Sequence, residues 1–208
     1  KVPYNPNRVA RHYWFFDYGG GWQLDWAVHH YDIVQWAMGV KWPVAATAMG
    51  GKFAFQDPDN TQWPDTFSGI VEYGPGPVAK KGFVLQYTYR GGCRREQRSH
   101  GKCFFGSEAS MLLDRSGFTI TAELKSKRGT FEEGPTVRGN PENHAEVFLQ
   151  HVRNHTTPAA CVETGHYATN PGHLMNIAWR VGRRIRWDGE REQVLDDPQA
   201  NQLATKQY

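Results

Sequence analysis

The stretch FDYGGGWQLDWAVHHYD, Phe16 to Asp32, sets three consecutive glycines ahead of an acid, a base and a second acid: Asp25, His29 and Asp32, spaced four and three residues apart. From Leu24 to Met38 there is neither Gly nor Pro, and Gly39 with Pro43 supplies a stop, so the pattern predicts a helix over 24–38. On it Ala27, Tyr31, Val34 and Met38 form one stripe suited to burial, and Asp25, His29, Asp32 and Trp36 form another. Residues at i, i+4 and i+7 share a side of a helix, so Asp25, His29 and Asp32 converge on one small volume. Histidine takes and returns a proton readily near neutral pH, and a neighbouring carboxylate orients the ring and stabilises its charged form. Gly19, Gly20 and Gly21 have no Cβ and let a ligand or another chain segment approach the helix start. The expectation is a concave, partly exposed pocket near Gly20 shared by Asp25 and His29. Spacing alone leaves a second reading open, in which Asp25 caps the helix or favours its positive end and His29 fills a half-buried space. A metal site built on Asp25, His29 and Asp32 lacks a further ligand and is set aside.

Working outward, Lys1 to Tyr18 reads as an extended lead-in. From Val44 to about Leu124 the pattern becomes short β-type runs, AATAMGGKF, TFSGIVEY, GFVLQYTYR, KCFFG, SMLLD and FTITAEL, separated by turn residues. Such tight connections favour antiparallel pairing. Lys125 to Pro141 is polar and predicted as a loop. Helical patterns return at Glu142–His155, where Ala145, Phe148, Leu149 and Val152 give an amphipathic face, and from about Gly172 to Arg186, with Pro171 placed to start a helix. The order predicts an α+β fold: one domain spanning 1–208, with helices on one face of an open-faced, mainly antiparallel sheet.

Composition narrows the function classes. With 24 basic and 21 acidic residues the net charge is +3, too small and dispersed to call for nucleic acid or an anionic membrane. Arginines cluster only at 90, 94, 95 and 98 and at 180, 183, 184 and 186, where a solvated or interface role suffices. Eight Trp and nine Tyr, with a mean hydropathy of -0.67, point to half-exposed aromatics or an aromatic-lined cleft. Cys93, Cys103 and Cys161 form no C-x-x-C pair, which argues against a zinc ribbon or a stapled secreted fold and leaves cytoplasm and bacterial periplasm both open. No apolar run reaches membrane-span length, and the first residue is Lys rather than Met, as expected of a piece cut from a longer chain. The segment GPGPVA, Gly74 to Ala79, fits a dinucleotide fingerprint only formally: Pro75 and Pro77 lack the amides that would hold phosphate. The sequon at Asn154-His155-Thr156 is of a kind common by chance.

The pattern G-G-G-x3-D-x3-H-x2-D over Gly19–Asp32 resembles the substrate-site helix of the Gfo/Idh/MocA family of NAD(P)-dependent oxidoreductases. FFGSEASMLLDRSGF (104–118) is similar to that family's strand-turn-strand segment. ETGHYATNPGHLMNIAWRVGRRIRWD (163–188) looks like its late helix, especially in a bacterial subgroup, and DDPQANQL (196–203) like its tail. In that family an N-terminal Rossmann domain holds the cofactor, and a C-terminal domain with an open-faced sheet supplies substrate contacts and the oligomer interface. This chain resembles the second part only. The resemblance implies that His29 transfers the proton, that Asp25 and Asp32 lie in the substrate site, and that NAD or NADP serves the full-length enzyme. Ala27 stands where members often have Gly, and the Rossmann fingerprint and the Glu-Lys-Pro segment with its substrate-binding Lys are absent, so activity requires a further part.

Oxidising a sugar hydroxyl removes hydride from carbon and a proton from oxygen, so a base must reach that oxygen. His29 is the candidate base, with Asp25 beside it. Trp14, Tyr18, Trp22 and Trp26 offer flat apolar surfaces to a sugar ring, and Arg90, His166 and His173 are candidate polar contacts. The leading reading is the substrate and catalytic-base domain of a sugar or cyclitol oxidoreductase. The alternatives are a stand-alone sugar-binding or assembly domain and a redox-assisted glycosidase or lyase. In 83–90, Phe83, Leu85, Tyr87 and Tyr89 alternate with the mixed set Val84, Gln86, Thr88 and Arg90, which predicts a homo-oligomer that buries the open sheet face with arginines at its rim.

Overall fold

The computed structural model describes residues 3–55, 60–93, 99–131 and 143–205 and the backbone of 134–135. Arg94, Arg95 and Arg98 of the first arginine cluster lie outside the described residues, as does much of the predicted loop before Pro141. The chain divides into two compact units, one of Lys1–Gly92 with Ala159–Tyr208 and one of Cys93–Pro158.

In the first unit the lead-in is helical rather than extended. Asn5 Oδ1 accepts from the amides of Asn7 and Arg8, and Pro6 occupies the first turn of α1 (Pro6–Ala10), which a 3-10 turn at His12–Trp14 follows. Then come α2 (Trp22–Asp25), α3 (Val28–Met38), β1 (Ala45–Gly51), β2 (Thr66–Tyr73) and β3 (Phe83–Arg90). After residues of the second unit the chain returns with α5 (Val162–Val181), β8 (Ile185–Asp188), β9 (Gln193–Leu195) and α6 (Pro198–Ala204). The strands form one antiparallel sheet in the order β3-β2-β1-β8-β9. Pairing of Ala46 with Val71, and of Val71 with Leu85, carries one apolar row across three strands. Phe67, Val71, Tyr73, Ile185 and Trp187 point inward, where α5 buries Leu174, Met175 and Ala178 against them; α3 packs in turn on α5 through Ala27 and Tyr31. The opposite face is open: Met49 is 79% and Val84 62% exposed.

Two helix boundaries differ from the sequence expectation. The helix expected from about Gly172 to Arg186 starts at Val162, passes through Pro171 and stops at Val181, where Gly182 turns left-handed at φ 70°. Pro171 cannot donate to the carbonyl of Tyr167, but Gln35 Nε2 does so at 3.0 Å, so the break never occurs. Beyond that turn β8 is strand because Ile185 and Trp187 alternate into the core with Arg186 outside.

The second unit holds β4 (Lys102–Phe105), β5 (Ala109–Asp114), β6 (Gly117–Ala122), β7 (Gly134–Pro135) and α4 (His144–Asn154). Its sheet, in the order β4-β5-β6-β7, aligns Phe104, Met111 and Ile120 on one face and Phe105, Ser110 and Thr121 on the other. Asn143 caps α4, whose apolar residues Phe148, Leu149 and Val152 are exposed. The single sheet expected over 44–124 is therefore two sheets: Gly91 and Gly92, the latter at φ 75°, end β3, and the strands from 102 onward pair among themselves. The α+β class with antiparallel strands stands as read.

Candidate functional site

The glycine turn is gripped by protein. Gly19 N donates to Phe15 O at 2.9 Å and Gly21 N to Tyr13 O at 2.7 Å. Trp63 Nε1 donates to Gly19 O at 2.7 Å, and buried Asn176 Nδ2 to Gly20 O at 2.8 Å. A Cβ on Gly19 would stand 2.5 Å from Tyr13 Cα, and one on Gly20 2.4 Å from Leu24 Cδ2. Gly21 has φ 69°. Tyr13 packed on Gly19, Leu24 and Asn176 packed on Gly20, and the left-handed φ of Gly21 each account for a glycine at that position.

The helix predicted over 24–38 is two pieces. Ala27 N bonds Trp22 O, five residues back, at 3.1 Å, so the turn at Trp26–Ala27 is widened although both residues stay in the right-handed helical region. The carbonyls of α2 are drawn to the core: Tyr31 Oη donates to Gln23 O at 2.9 Å and Tyr87 Oη to Trp22 O at 3.3 Å. Burial pushes the phenol pKa values of Tyr31 and Tyr87 well up, which keeps both hydroxyls as donors. His29, Asp32 and Trp36 share the regular helix α3, with Asp25 one widened turn before them.

All four residues of that stripe are exposed, and Ala27 and Tyr31 of the opposing stripe are buried. The side chains of Asp25, His29 and Asp32 make no hydrogen bond or ion pair with another described residue; His29 meets the Trp26 ring edge-on at 5.6 Å. The expected pocket near Gly20 is an open helix face instead, since Leu24 and Asn176 cover Gly20. A surface hollow of about 440 Å³ lies elsewhere, lined by Tyr4, Arg8, His12 and Tyr18 among others.

Tyr18 thus belongs to that hollow, where Arg8 Nη1 reaches its hydroxyl at 3.5 Å. Trp14 is core, and Trp22 stacks on Tyr89 at 5.3 Å. Arg90 follows Tyr89 in β3 and so points to the open face of the sheet, away from Trp22. His166 pairs with Glu192, near the C-terminal end of α3, because adjacent Tyr167 is the residue bonded by Gln35. His173 is exposed on α5; desolvation first, and the charge of His166 second, lower its pKa, an effect that solvent screens at an exposed position. Asp25, His29 and Asp32 are therefore exposed along α2 and α3 without the convergence on one small volume that a regular helix predicts, and Arg90 and His166 lie on other elements.

Sequence reading passed over Gln35, Asn176 and Asp65, which position the site or its supports. Gln35 and Asn176 were detectable as amides within apolar helical runs. Asp65 is fully buried and accepts from Phe53 N at 2.9 Å, Ala54 N at 3.0 Å, Phe55 N at 2.8 Å and Thr66 Oγ1 at 2.9 Å. Burial pushes its pKa up, but those hydrogen bonds outweigh it and the net shift is downward.

The one segment that fits a dinucleotide fingerprint formally is a strand connection. GPGPVA joins β2 to β3, with Gly76 N donating to Ala79 O at 2.9 Å, and presents no helix start to a phosphate. Among the described residues no three His, Cys, Asp or Glu side chains are grouped to hold a metal ion, and no helix is long and apolar enough to cross a membrane.

The fold is similar to part of several larger solved structures. The chain is similar to a protein assigned as an oxidoreductase, YvaA of Bacillus subtilis, with a TM-score of 0.54 and 17% identity over 79% of this chain and 50% of that one. A second such protein, from Bacteroides fragilis, gives a TM-score of 0.51 and 13% identity over 81% of this chain and 52% of that one. Scyllo-inositol dehydrogenase of Lactobacillus casei, solved with NAD(H) and scyllo-inositol, is matched at a TM-score of 0.45 and 16% identity, over 86% and 52%. This chain thus spans about half the length of each. No family model matches the sequence, and no curated protein does.

Proposed function

We propose that the chain is the substrate-side, C-terminal half of a Gfo/Idh/MocA-type oxidoreductase acting on a hydroxyl of a sugar or cyclitol, with His29 as its proton-transferring residue. The observation that carries this reading is the stripe Asp25, His29 and Asp32, exposed and unengaged at the end of a helix whose other side is core. Its residues match the G-G-G-x3-D-x3-H-x2-D pattern, and the likeness of the fold to half of a protein assigned as an oxidoreductase supports the same reading. His29 accepts the hydroxyl proton, Asp25 stabilises the resulting imidazolium, and Asp32 accepts a hydrogen bond from a neighbouring hydroxyl. NAD or NADP, the hydride carrier, is held by residues outside this chain.

The test is steady-state kinetics on the full-length enzyme. His29→Ala should lower turnover by about 10²- to 10⁴-fold, and His29→Gln should not restore it. Unchanged turnover removes His29 from the mechanism.

The open sheet face, with Met49, Val84 and Ile70 among polar neighbours, is assigned to a second copy of this chain. Arg184–Glu72 and Arg186–Asp196 place both signs of charge on it, so two copies related by a two-fold axis can meet with opposite charges facing.

A further inference from the structure

In a regular helix the amide of Ala27 donates to Gln23 O, four residues back. Here it donates to Trp22 O at 3.1 Å, and Gln23 O takes its hydrogen bond from Tyr31 Oη at 2.9 Å. Tyr31 is 1% exposed, and α5 passes so close that a Cβ on Gly172 would stand 2.8 Å from the same oxygen, so a protein donor rather than bulk water serves this carbonyl. The side chain of Gln23 is fully buried, and neither its Oε1 nor its Nε2 is hydrogen-bonded by a described residue. The widened turn thus satisfies its backbone but leaves a buried acceptor idle, an uncompensated desolvation cost. A regular turn redistributes the same donors. Ala27 N passes to Gln23 O, while Trp22 O keeps Trp26 N and Tyr87 Oη. The Tyr31 hydroxyl then has Gln23 Oε1, on the residue it already touches, as its acceptor. In that form Asp25 and His29 stand at i and i+4 of one continuous helix, with Cβ atoms about 5–6 Å apart.

We infer that Tyr31 is the positioning residue of the acid-base stripe: its hydroxyl holds the turn at Trp26–Ala27 in the widened form, and its transfer from Gln23 O to Gln23 Oε1 brings Asp25 alongside His29. This rests on the proposed role of His29. Tyr31 takes no part in the proton transfer, since it is buried on the other side of α3.

The experiment is calorimetric zinc binding by the full-length protein carrying Asp25→His. Two histidines at i and i+4 of a regular helix grip one zinc ion, and two on a widened turn do not. The minor form of a two-state element is populated to at most about 10%. Adding Tyr31→Phe, which keeps the ring and deletes the hydroxyl, should therefore tighten zinc binding at least about tenfold. Tyr31→Met, which also lacks the hydroxyl, should reproduce the gain, and His29→Gln should abolish it. A merely structural role for Tyr31 would loosen the helix and weaken zinc binding. Equal affinity with and without the hydroxyl, weaker binding without it, or a gain that survives His29→Gln would overturn the inference. Turnover retained in His29→Ala refutes the base alone, because the zinc measurement needs no substrate.

Discussion

Replacing Asp65 with Ala removes a buried carboxylate that holds three consecutive backbone amides, Phe53 to Phe55, and the hydroxyl of Thr66. Hydrogen bonds to a charged group contribute about 1.5–3 kcal/mol each, net of water. Four such bonds do not sum in full. Phe53 is 78% exposed, so the freed amides can bond water, and deleting the carboxylate also removes its own desolvation cost. The expected loss is about 3 kcal/mol, which for a chain of this length lowers Tm by about 6–12 °C. Phe55 packs edge-on against Trp14 at 5.2 Å, so loosening its segment should also alter tryptophan fluorescence before global unfolding. The pH dependence has a definite sign. Hydrogen bonding holds the folded pKa of Asp65 below its ordinary 3.8, so the unfolded chain takes up the proton first; the contribution is complete above about pH 4 and is lost as pH falls through the folded value. Urea titrations of the wild type and of Asp65→Asn between pH 7 and pH 3 read this out: the wild type should show an acid-side loss that the variant lacks. A stability cost under about 1 kcal/mol, or parallel acid limbs in both proteins, would refute the reasoning.

Gly172→Val should cost about 1–3 kcal/mol by overpacking, because a Cβ there stands 2.8 Å from both Gln23 O and Leu24 Cδ1; the urea midpoint reports it. Gln35→Leu should destabilise by about 1–3 kcal/mol through the orphaned carbonyl of Tyr167, which Pro171 cannot serve, with hydrogen exchange rising around Tyr167 in α5. The double variant Met49→Glu, Val84→Glu should shift the protein toward monomer in light scattering with unchanged circular dichroism, and a wild-type protein already monomeric at micromolar concentration refutes the sheet-face assembly.

The strand TFSGIVEY was legible to the residue as Thr66–Tyr73, and Ala27 and Tyr31 were legible as the buried stripe of their helix, because alternation and helical spacing are properties of consecutive residues. The acid-base stripe was legible for the same reason, and its exposure follows from the burial of the other side. What the three glycines serve was not: a ligand and a neighbouring part of the chain both need a missing Cβ, and it takes the fold to show Tyr13 packed on Gly19 and Leu24 with Asn176 packed on Gly20. Sheet membership was likewise hidden, since strand runs look alike whether they pair across one sheet or two. Pro171 shows the limit most plainly. Local chemistry reads it as a helix start, but the carbonyl it abandons is served by Gln35, 132 residues away in sequence. Periodicity records which side of an element faces the core, whereas the partner that satisfies a given backbone group comes from wherever the fold brings the chain back.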